Sequence, residues 1–197
     1  MIQISDNVVM MEVGDQLPPD NGEYIKILLA GSIDVGGAGS ENGGIGVYDW
    51  ITKFGQGVAQ LTDPLKGVLM MRGQKYMLFS TKYVPQNPSP TYDNPEFVQK
   101  ISWTLDVAGQ CNFIFFNFLK RSTSTWPLFL FGLLSGSGKV VVRCPTEYFS
   151  HGLVKVICER DGIPFLPSGT SSVYSVLSTM QAYIGNNATP GDVKLPE

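Results

Sequence analysis

The stretch of sequence that decides the fold is YIKILLAGS, residues 24–32. It is a continuous apolar run with a β-branched core, and it ends in Gly31-Ser32. Strands that are buried on both faces of a parallel sheet have this pattern, whereas strands with one solvated face alternate apolar and polar residues. The stretch therefore predicts a central parallel strand over residues 24–30, with a loop at its carboxyl end.

Downstream of this strand, strand and helix patterns alternate. The buried strands expected there are 112–116 and 139–143, with two shorter ones around Arg72-Gly73 within 65–79. One expected helix begins at Tyr48, and three more are expected over 128–134, 152–160 and 171–183. This alternation predicts an α/β fold with a doubly wound, mostly parallel sheet of the Rossmann or flavodoxin-like type.

One further helix has a clear start signal. Asn94 is a good N-cap residue, Pro95 suits the first helical position, and Glu96 suits the first turn. The helix is expected to bury the face that carries Phe97, Ile101, Leu105 and Ala108.

The sequence suggests three segments. Residues 1–22 are expected to form a strand-rich appendage, with a short strand over 8–11 and a turn at 18–22. Residues 23–184 would form the α/β domain. Residues 185–197 are polar and are expected to be a mobile tail.

Composition excludes several classes of protein. The 197 residues carry 14 Lys and Arg, which are scattered, and a net charge of −3, so phosphate-driven binding of nucleic acid is not expected. The longest apolar run, around 113–118, is too short to span a bilayer, and no membrane association is expected. Three unpaired cysteines and one histidine offer no metal-site spacing and fit the cytoplasm. No cofactor is expected.

The candidate binding edge follows from the fold class. Open α/β sheets bind ligands beyond the carboxyl ends of their strands, where the strand order reverses. The segments expected at such ends are 31–34, 117–125 and 144–146. Gly31, Ser32 and Asp34 lie in the first of these segments and are candidate ligand-binding residues.

Several segments in order suggest a family. They are 27–34 (ILLAGSID), Asp49-Trp50, 94–97 (NPEF) with Trp103, 132–145 (GLLSGSGKVVVRCP) and 159–164 (ERDGIP). Together they resemble the nucleoside 2-deoxyribosyltransferase-like proteins over roughly residues 25 to 166. That family transfers a deoxyribosyl group through a covalent intermediate on a glutamate.

The resemblance breaks at the residues that would carry the chemistry. The family glutamate sits in a pattern like S-P-x-x-L-L-E-L-G, and Leu130 takes its place here. The aspartate of a pattern like A-D-x-I is replaced by Asn112, which can donate and accept hydrogen bonds but cannot act as an acid or base. The family's N-P-R stretch is also missing. Asp34, Asp93, Glu96 and Asp106 are carboxylates that could substitute, and Asp34 is the best placed, in the loop after the first strand.

The resemblance therefore implies a catalytically inactive relative that binds a nucleoside or nucleotide, or else a protein partner. It also implies a bacteriophage accessory or virion-associated protein, located in the host cytoplasm or in the virion. The ligand-binding residues that it implies are Gly31, Ser32, Asp34, Trp50, Asn112, Trp126 and Leu130. An active N-glycosidase or deoxyribosyltransferase with a relocated carboxylate and a self-assembling structural subunit remain alternatives. A homo-oligomer is expected, since family enzymes are commonly oligomeric. The aromatic residues near 113–131 could either fill the former pocket or stack on a base.

Overall fold

A computed structural model of the protein describes residues 1–19, 21–32, 50–81, 91–120, 122–167 and 172–187. Seven strands form one sheet in the order β1-β2-β4-β3-β5-β6-β7. The strands are β1 (Ile2–Ser5), β2 (Val8–Met11), β3 (Ile25–Gly31), β4 (Tyr76–Ser80), β5 (Phe113–Asn117), β6 (Val140–Arg143) and β7 (Phe165–Leu166). Only the β1–β2 pair is antiparallel among the pairs whose register is described. The predicted α/β fold with a mostly parallel sheet is confirmed.

Five α-helices accompany the sheet in the described residues. They are α1 (Trp50–Thr62), α2 (Pro95–Gln110), α3 (Trp126–Leu134), α4 (His151–Asp161) and α5 (Val173–Asn187). A short 3-10 turn over Ser135–Ser137 follows α3 and ends at Gly138, whose positive φ of 69° closes the turn. The apolar runs and caps thus correctly predicted the β3, β5 and β6 strands and the positions of all five helices. None of these helices is long and apolar enough to cross a membrane.

The chain divides into two compact units. The first contains residues 1–29 and 50–112, and the second contains the described parts of 30–49 and 113–197. In the first unit, α1 packs on β1, β2 and β4. In the second unit, the ring of Phe131 contacts the rings of Phe116 and Phe118 at centroid distances of 5.4 and 6.0 Å.

The prediction that residues 1–22 form an appendage is wrong. β2 pairs in parallel with β4 from Val8↔Tyr76 to Met11↔Phe79, so it is an internal strand of the sheet. All four residues of β2 are buried, as in the central strands. β1 then covers the outer side of β2 as the edge strand. The N-terminal residues therefore complete the sheet.

The start of α2 is as predicted, but its buried face is not. The Asn94 side chain accepts hydrogen bonds from the backbone N–H groups of Glu96 and Phe97, and Pro95 occupies the first turn. The buried residues are Lys100, Trp103, Thr104, Val107 and Ala108, so only Ala108 of the expected face is buried. Trp103 sets this rotation, because its indole N–H donates to the Asp15 carbonyl at 3.0 Å and its ring contacts Phe79.

Three smaller expectations also change. Residues 65–79 contain one strand, β4, preceded by turns, where two strands were expected. The two-residue strand β7 was not predicted. Helix α5 continues to Asn187, beyond the boundary placed at 184, and the rest of the expected tail lies outside the described residues.

Candidate functional site

The carboxyl ends of β3 and β5 meet in the second unit. The backbone N–H of Ser32 donates to the Asn117 carbonyl at 3.0 Å, and the Ser32 hydroxyl accepts from the backbone N–H of Leu119 at 3.3 Å. Ser32 and Asn117 are both fully or almost fully buried. Two buried polar side chains therefore lie at the edge where open α/β sheets bind ligands.

Gly31 makes this junction possible. Its φ is 127°, a conformation that residues with a side chain rarely adopt. A Cβ atom at this position would lie within 2.7 Å of the backbone N and carbonyl C of Asn117 and closer still to the carbonyl oxygen. Gly31 thus acts through backbone geometry, and its predicted place beside Ser32 at the strand end is what the structure shows.

Asn117 carries an open hydrogen-bonding position. Its Oδ1 is buried and accepts no hydrogen bond from any described residue. Buried carbonyl oxygens nearly always have a partner, because leaving one without costs about 1–3 kcal/mol. An acceptor without a partner at the ligand edge of the sheet is the clearest sign of a binding position in the described chain. The sequence pointed to the segment 117–125 but did not single out Asn117.

Asn112 does not join this edge. It precedes β5, its backbone N–H donates to the Lys26 carbonyl at 2.9 Å, and its Oδ1 accepts from the Lys26 N–H at 2.7 Å. Lys26 lies near the amino end of β3, whereas Gly31 ends that strand. The described hydrogen bonds of Asn112 are therefore structural, and they place it away from the carboxyl edge that holds Gly31 and Ser32.

Leu130 lies in the core of the second unit. Its side chain is 2% exposed, next in sequence to Phe131. The rings of Phe116, Phe118, Phe131 and Tyr148 pack on one another and are equally buried. These rings therefore pack within the core and are not free to stack on a base.

The two tryptophans among the predicted site residues differ in environment. Trp50 begins α1 in the first unit and is buried in its core. Trp126 is half-buried in the first turn of α3 and stacks on Phe129 with a centroid distance of 5.7 Å. Phe129 is an exposed side chain, so this pair belongs to the outer surface of α3.

Of Asp34 and Asp93, two of the aspartates expected as replacement catalytic carboxylates, the structure describes one. Asp93 is exposed in the turn before α2, in the first unit. Asp34 lies outside the described residues. Among the residues that the structure covers, no group of three or more His, Cys, Asp or Glu side chains could hold a metal ion.

The nucleophilic side chains near β6 are not activated. Cys144 and Cys158 are buried, and removal from water raises the pKa of each thiol to about 12. At neutral pH both are therefore protonated thiols with little reactivity. His151 begins α4, and its ring packs against the Phe165 ring at a centroid distance of 5.7 Å.

Comparison with known proteins adds no assignment. No protein-family model matches the chain, and no curated protein matches it significantly.

Proposed function

We propose that this chain is a catalytically inactive relative of the nucleoside 2-deoxyribosyltransferases, which binds a nucleoside or nucleotide without cleaving it. The observation that carries the binding function is the buried Asn117 Oδ1, which has no described partner at the carboxyl end of β5. A ligand hydroxyl or N–H group would complete its hydrogen bonding. Ser32 and Gly31 hold the Asn117 backbone in place for this contact.

The inactive half of the proposal rests on Leu130. Glycosyl transfer through a covalent intermediate needs a nucleophilic carboxylate at the anomeric carbon. The position that aligns with the family glutamate carries an alkyl side chain, and that side chain is buried in the core. Asp93 is exposed at a helix start, so it lacks the desolvated surroundings that tune catalytic carboxylates.

The purified chain should be tested in a thermal-shift screen with deoxyribonucleosides, ribonucleosides and their 5′-monophosphates, together with an assay for free base. We expect a rise in melting temperature without base release, since a ligand at 100 times its Kd stabilises the fold by about 2.7 kcal/mol. Base release that depends on the protein would contradict the inactive assignment. If no compound shifts the melting temperature, the binding assignment is wrong.

A second candidate function is self-association, and a specific surface favours it. Five large apolar side chains on and beside α3 and α4 are each more than half exposed: Phe129, Leu133, Phe149, Leu153 and Val156. Both helices contact the 3-10 turn at 135–137 and connect successive neighbouring strands, so they lie on one face of the second unit. We call these five residues the α3–α4 face.

The size of the α3–α4 face fits an interface between two copies. Five half-exposed side chains present an apolar area on the order of 500 Å², at the upper limit for a monomer. A stable dimer buries about 800 Å² on each partner, so the apolar part of this face would provide more than half of such an interface. The low charged fraction of 16% also leaves few charges to oppose contact between copies.

Sedimentation velocity tests the second candidate. We expect the wild type to sediment as a dimer and the double variant Phe129→Ser, Leu153→Ser to sediment as a monomer, because the change removes apolar area that only the dimer buries. Leu65→Ser with Leu69→Ser is the matched control, since both leucines are highly exposed but lie in the first unit. A wild type that stays monomeric at high concentration would rule this function out.

A further inference from the structure

Asn117 has a neighbour with the same unusual property. β5 and β6 pair in parallel, and their last residues, Asn117 and Arg143, stand opposite each other in register. Residues opposite each other in a parallel ladder direct their side chains to the same face of the sheet. The Asn117 and Arg143 side chains therefore leave adjacent strands on the same face of the sheet, at the carboxyl edge of the second unit.

Both side chains contain a buried atom that forms no hydrogen bond. For Asn117 this atom is the acceptor Oδ1, in a side chain 2% exposed, and for Arg143 it is the donor Nε. Arg143 is partly buried and forms no ion pair with any residue that the structure describes. Arg160, in contrast, forms an ion pair with Asp161 through two nitrogens at 2.6 and 2.8 Å.

The backbone around the pair is held firmly. The Arg143 carbonyl accepts from the Phe118 N–H at 2.9 Å, and the Asn117 carbonyl accepts from the Ser32 N–H at 3.0 Å. The two side chains therefore project from fixed ends of neighbouring strands. Sites on rigid elements of this kind hold binding groups more accurately than sites on loops.

A third unpartnered atom lies elsewhere. His151 Nδ1 is also buried without a hydrogen bond, but its ring packs on Phe165. Phe165 stands opposite Val142, the residue before Arg143, so it faces the other side of the sheet. His151 is therefore not part of the Asn117–Arg143 pair.

The chemistry of the pair defines what would satisfy it. The buried Arg143 Nε lacks an acceptor, and the planar fork of guanidinium N–H groups matches the oxygens of a phosphate or carboxylate. The neighbouring Asn117 Oδ1 needs a hydrogen-bond donor. One ligand meets both needs if it carries an oxyanion with a hydroxyl or amine group beside it.

We propose that Asn117 and Arg143 form an oxyanion subsite, in which Arg143 binds a phosphate or carboxylate and Asn117 Oδ1 accepts from a hydroxyl or amine close to that group. The subsite deepens the proposed function and rests on it for the identity of the rest of the ligand. It assigns the anionic group to β6, a strand that contributes none of the residues expected from the sequence. A nucleotide, with its phosphate and sugar hydroxyls, has the required combination.

Titration calorimetry on the full chain tests the subsite. The probes are adenosine, adenosine 5′-monophosphate, ribose 5-phosphate, inorganic phosphate and the hydroxycarboxylate glycolate. We expect the phosphate-bearing probes to bind the wild type and to lose about 10-fold or more in affinity in Arg143→Gln, because a charge-assisted fork is lost. Adenosine should bind both proteins equally. Arg160→Gln is the matched control and should change nothing.

Unfolding measurements separate a binding role from a structural one. Arg143→Met removes a buried donor that has no partner, so without ligand it is expected to melt at the same temperature as the wild type or higher. A large drop in melting temperature would show that Arg143 serves the fold instead, and would overturn the subsite. Arg143→Lys, which keeps the charge but not the fork, should lie between the wild type and Arg143→Gln in affinity.

The probes also separate failure of the subsite from failure of the proposed function. If adenosine binds and its monophosphate binds no tighter, the subsite is wrong and the proposed function stands. If ribose 5-phosphate or inorganic phosphate binds through Arg143 and no nucleoside binds, the subsite stands and the nucleoside assignment fails. Binding of glycolate in place of phosphate identifies a carboxylate ligand. If no probe binds, both proposals fail.

Discussion

Replacing Gly31 with alanine is expected to lower the free energy of unfolding by about 3 kcal/mol or more, a large effect for one added methyl group. Two costs add. The φ of 127° is strained for any residue with a Cβ, and the new Cβ would overlap the backbone of Asn117, which cannot move without breaking the β3–β5 junction. Urea denaturation followed by circular dichroism measures the change.

The matched control for this change is Gly132→Ala. Gly132 lies in α3, is exposed, and has nothing within 4 Å of an added Cβ. Alanine there should stabilise the protein by about 0.5–1 kcal/mol, because glycine is a poor helix former. If Gly31→Ala proved as stable as Gly132→Ala, the tight contact between residue 31 and Asn117 would be refuted.

Placing a glutamate at position 130 is expected to destabilise the protein by several kcal/mol and to produce no base release. Leu130 is buried in the core, so Leu130→Glu places a carboxyl group there without a partner. Burial raises the pKa of such a carboxyl group above its unfolded value. The loss in free energy of unfolding should therefore be smallest at low pH, where the carboxyl group is protonated in both the folded and the unfolded state. The loss should grow as the pH rises through neutrality.

Leu130→Met is the control for Leu130→Glu. It conserves volume and polarity and should cost less than about 1.5 kcal/mol. Denaturation curves at several pH values and the free-base assay check both variants. A Leu130→Glu protein that is as stable as Leu130→Met and releases base would mean that position 130 opens into a working pocket, and the inactive assignment would fall.

The sequence predicted most elements because their signals are local. The apolar run before Gly31 and the apolar run 112–116 each mark a buried strand whatever the rest of the chain does. Asn94 and Pro95 mark a helix start for the same reason, since a cap depends on a few adjacent residues. The apolar residues of α1 recur at helical spacing, which predicted this helix. Its residues Trp50, Ile51, Phe54 and Val58 are all buried.

The errors concern pairing and orientation, which are not local. β2 pairs with β4, which lies more than sixty residues away in sequence. Nothing in the sequence of residues 8–11 indicates which strand they pair with. The buried face of α2 is set by the contacts that Trp103 makes with the Asp15 carbonyl and the Phe79 ring, and both residues lie far from Trp103 in sequence. Asn112 looked like a site residue from its place in a motif, but its hydrogen bonds with Lys26 put it at the amino end of the strands.

The candidate site was predictable in part. Gly31 and Ser32 follow a recognisable strand, so their place at the carboxyl edge could be inferred from the sequence. Asn117 could have been found from one signal, since it is the polar residue that ends the apolar run of β5. Arg143 ends β6 in the same way, but a single arginine after a strand is common and carries no information by itself.

The sequence by itself determined the order of the elements and the α/β class, because both depend on residue identity and short spacing. Only the tertiary structure decided that the N-terminal strands belong to the sheet, that Leu130 is buried in the core, and that Asn117 stands beside Arg143. These facts depend on which strands pair and in what register, and register is set by contacts between residues far apart in the chain. The unpartnered oxygen and guanidinium nitrogen became visible only once that register was known.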